Sequence, residues 1–290
     1  MAQALELPSR ALTVARRFPS RRRLVWIAAL VVAANGFFPA LWILFTSLKT
    51  ETELMRVPIT ILPEAPTLAN YVRVFVDQPI LVFLWNSFAV ATLSTLLCVT
   101  VSACAAYALV RLRVPAPNLI LSVLLGAGMF PLITLMVPLF QTMRSLDLLN
   151  TWTSLFVPYA VISLPVCTLV LISFFQDIPR DLENAAMIDG CTRLGALWHV
   201  VIPLTAPGVF TAGILSFVNA WDEFLLALTL SPRVASRTLP VGITLYQGEF
   251  AFPWPIISAA LIIAIVPVSI LIAVFQERVV GGLTQGGVKG

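Results

Sequence analysis

The sequence predicts an all-α membrane protein of six transmembrane helices, and three observations carry that prediction. Hydrophobic residues make up 59% of the 290 and charged residues only 11%, with a mean hydropathy of +0.95, well outside the range of soluble domains. The apolar residues gather into runs of about 20, the length a helix needs to cross a ~30 Å hydrocarbon layer. Basic residues concentrate in alternate connecting segments, as the positive-inside bias requires.

Taken in order, the predicted spans are residues 24–46, 85–109, 119–140, 153–175, 208–230 and 256–275. Residues 1–23 form a basic N-terminal segment, 24–275 the six-span domain, and 276–290 a C-terminal tail. The first apolar run is too long for a signal peptide, and Phe37, Phe38 and Pro39 do not make a small-residue cleavage site, so an uncleaved span is expected. With the N-terminus inside, the inner segments hold Arg10 to Arg23, Arg111, Arg113, Arg180, Arg193, Arg278 and Lys289, twelve of the eighteen basic residues. Both termini therefore face the cytoplasm. The net charge of +4 follows from this bias, and nothing else points to a nucleic-acid partner.

The longest outer segment, from about Ser47 to Leu84, contains Pro58, Pro63, Pro66 and Pro79 and is expected to be turn-rich with short helices. Pro39, Pro131, Pro138, Pro158, Pro165 and Pro267 fall within spans and predict bent helices whose freed carbonyls neighbouring protein must satisfy. Cys98, Cys104 and Cys167 lie in spans and Cys191 in an inner loop, a pattern without disulfide or metal-ligand spacing. His199 is the only histidine, so no zinc site is expected.

The inner loop, residues 176–207, is the only large cytoplasmic feature. Ala185 and Ala186 make a slim helix that a partner's cleft can approach closely, Gly190 ends it, and a second short helix runs to Val200, Ile202 and Pro203. This pattern resembles the cytoplasmic "EAA" loop of bacterial ABC importer permeases. Asn86 and Ser87, the run Ala105 to Arg111, Trp221 to Phe224, and the tail Gly282 to Gly290 narrow the resemblance to the carbohydrate-uptake branch, of the maltose and trehalose type. Asn184 stands where that family usually carries glutamate, and Glu183 beside it is a substitute anchor.

The resemblance implies a permease subunit in a bacterial cell membrane that forms half of the path for a di- or oligosaccharide. It implies a pair of ABC ATPase subunits, one of them docked on Glu183, Asn184, Ala185, Ala186, Asp189 and Gly190, with the tail residues Gly286, Gly287 and Lys289 also reaching the ATPases. ATP and Mg belong to those ATPases, and this chain is expected to hold no cofactor, metal or catalytic residue. A second homologous permease and an extracytoplasmic solute-binding protein complete the set. The tail lacks the Gly-Lys-Ser/Thr ending and following helix of a phosphate loop.

Asp222 and Glu223 are the only carboxylates deep in a predicted span, about 21 Å beyond Gly208 at ~1.5 Å per residue. Charge at that depth is costly and belongs at the bundle interior or a wet cavity. With Asn219 and Trp221 they form a candidate sugar-facing set, and bracing of neighbouring helices is the equal alternative. An importer of a glycerophosphodiester or alditol is a further reading, although the absence of Lys or Arg deep in any span favours a neutral sugar. An intramembrane enzyme is disfavoured because adjacent helical carboxylates point ~100° apart. A stand-alone carrier would leave the inner loop without a use.

Overall fold

The computed structural model describes residues 19–248 and 252–287, with side chains for 23–248 and 252–275. Helix α1 (Pro19–Ser47) leads into an outer segment with α2 (Glu51–Leu54) and α3 (Ala69–Asp77), followed by the long α4 (Ile80–Arg111). Then come α5 (Pro117–Gly128), α6 (Leu132–Ser145) and α7 (Thr153–Gln176). The inner loop holds α8 (Arg180–Ile188) and α9 (Arg193–Ala196), which continues through a π-helical turn at Leu197–Val201 into α10 (Ile202–Leu204). The chain returns as α11 (Ala206–Trp221), α12 (Leu225–Leu230), α13 (Leu239–Ile243) and α14 (Trp254–Gly287). No strand occurs among the described residues.

Four helices are singly long and apolar enough to span a bilayer, and two bent pairs raise the number to six if each is one span. The expected third span is interrupted: α5 and α6 meet at 89°. Pro131, which offers no amide to the preceding turn, sits in extended backbone at the break. The expected fifth span is not continuous either. Helix α11 stops at Trp221, because the Glu223 carboxylate accepts the backbone N–H groups of Leu226 and Ala227 and so starts α12 afresh. Helix α14 runs on beyond the last apolar run, through the tail to Gly287.

The core is the packing of α4, α7 and α11 on one another. Ala103, Ala106 and Ala212 are fully or almost fully buried there, and such small residues let membrane helices approach closely. Gly208 lies under the Phe174 ring, where a Cβ would collide, so α11 starts in contact with the end of α7. Farther out, Phe83, Leu155, Tyr159, Trp221 and Leu226 join the same core to α12 and α14. Helix α1 leans on α14, and its inner half, from Leu24 to Phe38, is exposed.

The outer segment is held by its own polar contacts. Asn70 donates to the carbonyls of Ser47 and Lys49, both at 2.8 Å, and the buried Lys49 ammonium donates to the Thr60 carbonyl. Glu53 accepts the Thr60 hydroxyl at 2.8 Å and the Glu64 N–H at 3.0 Å. That amide contact above all holds the Glu53 carboxyl below the usual carboxylate range, helped by the Lys49 and Arg56 charges and against the effect of burial.

Candidate coupling surface and translocation path

Helix α8 begins behind Pro179, carries Asp181 and Glu183 in its first turn, and ends in a Schellman motif. Cys191 N–H donates to the Ala186 carbonyl at 2.9 Å and Gly190 N–H to that of Met187 at 3.2 Å, with Gly190 at φ +96°. Thr192 then caps α9 by accepting the Gly195 N–H at 3.1 Å. The π-helical turn that follows uses the Ile202 N–H on the Leu197 carbonyl and delivers the chain to Pro203, which has no N–H to continue the ladder.

Of the residues assigned to docking by sequence, Asn184, Ala185, Asp189 and Gly190 are exposed and Ala186 is half-buried. Glu183 is not on that face. It is buried against α4, where Arg111 Nε lies 2.5 Å from its Oε1 and the Tyr107 hydroxyl donates to its Oε2 at 3.2 Å. The loop also exposes apolar side chains that the sequence reading passed over: Leu182, Met187, Leu194 and Ile188, the last 86% exposed, while the half-exposed Trp198 lines a cleft with Val99 of α4 and Phe210 of α11. Their signal was present as leucine and isoleucine in a cytoplasmic loop, but so apolar a sequence gives such residues no contrast. His199 is exposed, with Nδ1 2.9 Å from the Gly195 carbonyl, and no group of candidate metal ligands occurs among the described residues. Lys289 lies outside the described residues. Gly286 and Gly287 fall at the end of α14, beyond the described side chains.

The four residues of the candidate path divide. Trp221 is buried and stacks on Phe217 at 5.8 Å between centroids. Glu223 is fully engaged, accepting the Tyr159 hydroxyl at 2.6 Å and the N–H groups of Leu226 at 2.8 Å and Ala227 at 3.1 Å. Asn219 donates to the Ser163 hydroxyl at 3.1 Å from an exposed position on α11, and Asp222, just past the helix end, is exposed. The arrangement leaves the Asn219 amide and the Asp222 carboxylate exposed, beside a second carboxylate, Glu223, that is committed to the fold.

Asn86 and Ser87, quoted above only as part of a pattern, organise the outer end. Asn86 donates to the carbonyls of Ala235 and Arg237, both at 2.9 Å, and accepts the Trp152 indole N–H at 3.0 Å. Ser87 accepts the Leu239 N–H at 2.7 Å. The loop between α12 and α13 is thereby pinned to α4 and α7.

The profile of the "binding-protein-dependent transport system inner membrane component" family matches residues 24–285. The chain is 67% identical over 273 residues to the sulfoquinovosyl glycerol transport system permease protein SmoH of Agrobacterium fabrum, covering 94% of this chain and 96% of that protein. It is 38% identical over 273 residues to the trehalose/maltose permease MalG of Thermococcus litoralis, covering 93% and 98%. A crystal structure of a bacterial ABC transporter involved in import of the acidic polysaccharide alginate shares the fold, with a TM-score of 0.77 at 21% identity over 90% of this chain and 98% of that one. The chain therefore belongs to the family of binding-protein-dependent transport inner-membrane components, as a permease of the carbohydrate ABC importer type.

Proposed function

We propose that this chain forms one half of the translocation path of an ATP-driven importer of a sulfonated glycoside, and that the exposed face of α8 and α9 receives an ATPase subunit. The observation that carries the docking assignment is the apolar face around Ile188 and Leu194, which projects from a short helix at the inner end. Such a patch in water marks a surface that is covered in the working assembly. Ala185 and Ala186 keep the helix slim, and with Glu183 turned inward the polar anchors are Asn184 and Asp189. ATP and Mg are held by the ATPase pair, whose closure displaces the inner loop and rocks two permease halves about a central cavity. A second, homologous permease covers Asn219 and Asp222, and an extracytoplasmic binding protein delivers the cargo. Both termini are cytoplasmic, and Gly286, Gly287 and Lys289 of the tail meet the same ATPase.

The cargo assignment rests on the 67% identical relative, a sulfoquinovosyl glycerol permease. An anionic cargo departs from the neutral sugar that the lack of basic residues in the spans favours. Amide donors such as Asn219, together with cations of the second permease, are suited to a sulfonate. A neutral disaccharide is the second reading, favoured by that same lack and by the 38% identical trehalose/maltose relative. The test is reconstitution with the second permease, the ATPase and the binding protein in proteoliposomes. ATP-dependent uptake of sulfoquinovosyl glycerol supports the cargo, uptake of trehalose or maltose alone overturns it, and failure to move any sugar with ATP overturns the importer assignment.

A further inference from the structure

At the inner end of the molecule one side chain ties three helix ends together. Arg111 closes α4 with its side chain 7% exposed. Its Nη2 donates to the carbonyls of Phe175 at 2.9 Å and Ile178 at 2.7 Å, which belong to the end of α7 and the turn beyond it. These are acceptors that a helix end leaves without an intrahelical partner. Its Nε meets Glu183 on α8, and the second oxygen of that carboxylate takes the hydroxyl of Tyr107, one turn back on α4.

A buried ion pair is a poor source of net stability, because desolvation largely offsets the attraction, yet losing one partner strands a charge. What it supplies is geometry. The guanidinium is planar, with its donors fixed in a fork, so the positions of three acceptor groups are set relative to one another. Besides this cluster, α8 is tied to α4 by a long hydrogen bond from Arg180 to the Val110 carbonyl at 3.4 Å and packs on the π-helical turn, and it is joined covalently to α7 through the short turn Asp177–Pro179 and to α11 through Gly190, α9 and α10. Helix α8 cannot shift against α4 and α7 without uncovering the Arg111 and Glu183 charges.

We propose that Arg111, Glu183 and Tyr107 form a latch that passes displacement of the inner loop to α4 and α7, and that this latch is separate from the face on which the ATPase sits. The assignment rests on reading that face as the docking site, and it makes docking and transmission separable by mutation. Arg111 and Glu183 are positioning residues: neither touches sugar or nucleotide.

The test uses the complete importer in proteoliposomes with Glu183→Gln, which keeps size and an acceptor for Tyr107 but removes the charge, and Arg111→Lys, which keeps the charge but not the fork. In Glu183→Gln the ATPase is expected to co-purify in normal amount and basal hydrolysis to persist, while sugar moved per ATP hydrolysed falls by roughly fivefold or more. Arg111→Lys is expected to lower the same ratio to a smaller extent. An unchanged ratio in both variants overturns the latch, and so does loss of ATPase co-purification from a folded Glu183→Gln subunit, which would return Glu183 to the docking face. Should Glu183→Gln fail to reach the membrane, Tyr107→Phe decides by the same ratio: a fall supports the latch and no change overturns it. Failure of the docking reading shows elsewhere, as normal ATPase co-purification and transport by Ala186→Trp.

Discussion

Two adjacent carboxylates, Asp222 and Glu223, have opposite circumstances, and the difference makes their roles separable. Glu223 accepts three hydrogen bonds, so Glu223→Ala leaves the almost fully buried Tyr159 hydroxyl and two amide groups unpaired. A loss on the order of 3 kcal/mol is expected, read as a lowered thermal midpoint of the purified subunit or complex. Asp222 is exposed just beyond the end of α11. Asp222→Ala is expected to change stability by less than about 0.5 kcal/mol and to lower uptake and substrate-stimulated hydrolysis. At the outer surface Glu53 gives a pH signature. Its carboxyl is held below the ordinary value of 4.5 by the Glu64 amide, so its contribution is complete above that value and is lost as pH falls through the lower, folded one. Protection factors for amide exchange across Thr50 to Glu64, corrected for the intrinsic pH dependence of exchange, should fall on acidification in the native protein, and Glu53→Gln should abolish the difference.

At the scale of single elements, α8 is built to be approached. The Ala186 carbonyl already serves the helix cap, and its methyl group is half-buried at the edge of the exposed face. Ala186→Trp overpacks that edge by about 1 to 3 kcal/mol, which corresponds to a roughly 5- to 150-fold loss of ATPase affinity, read by co-purification. At the other end of the molecule Asn86 holds the loop between α12 and α13 with two hydrogen bonds and accepts a third from Trp152 at the start of α7. Asn86→Ala is expected to speed hydrogen exchange over residues 231–239 and to weaken stimulation by the binding protein while the inner loop stays protected. The long helices were legible in the sequence, because the bilayer imposes a length and the apolar runs meet it. The breaks were not, since Met129 and Phe130 continue the apolar character across the bend between α5 and α6. Pro131 in one case and the Asp222–Glu223 pair in the other were the available signals, and both also occur inside unbroken spans or as helix braces. The inner loop was legible as a helix with a glycine stop. Which of Glu183 and Asn184 turns inward was not, because the partner that decides it, Arg111, sits on a different helix far away in the chain.

Across the whole molecule, the bias of basic residues assigns the segment with α2 and α3 to the outside and α8 to α10 to the inside. On a background with native cysteines replaced by serine, Glu64→Cys should react with a membrane-impermeant thiol reagent added outside, and Asp181→Cys only when the reagent is admitted inside. Reaction of both from the same side would refute the assigned orientation. The exposed half of α1 and the exposed Asn219 and Asp222 are the surfaces that lipid and a second permease cover in the proposed importer. The 86° corner between Arg193–Leu204 and α11 has a mechanical meaning as well. It is a crank: a push along the plane of the inner membrane surface swings α11 about its Gly208 end instead of sliding it along its own axis. With 16 residues at ~1.5 Å each, α11 is an arm of about 24 Å, so a swing of only about 5° carries Asp222 sideways by about 2 Å, enough to break and remake a hydrogen bond.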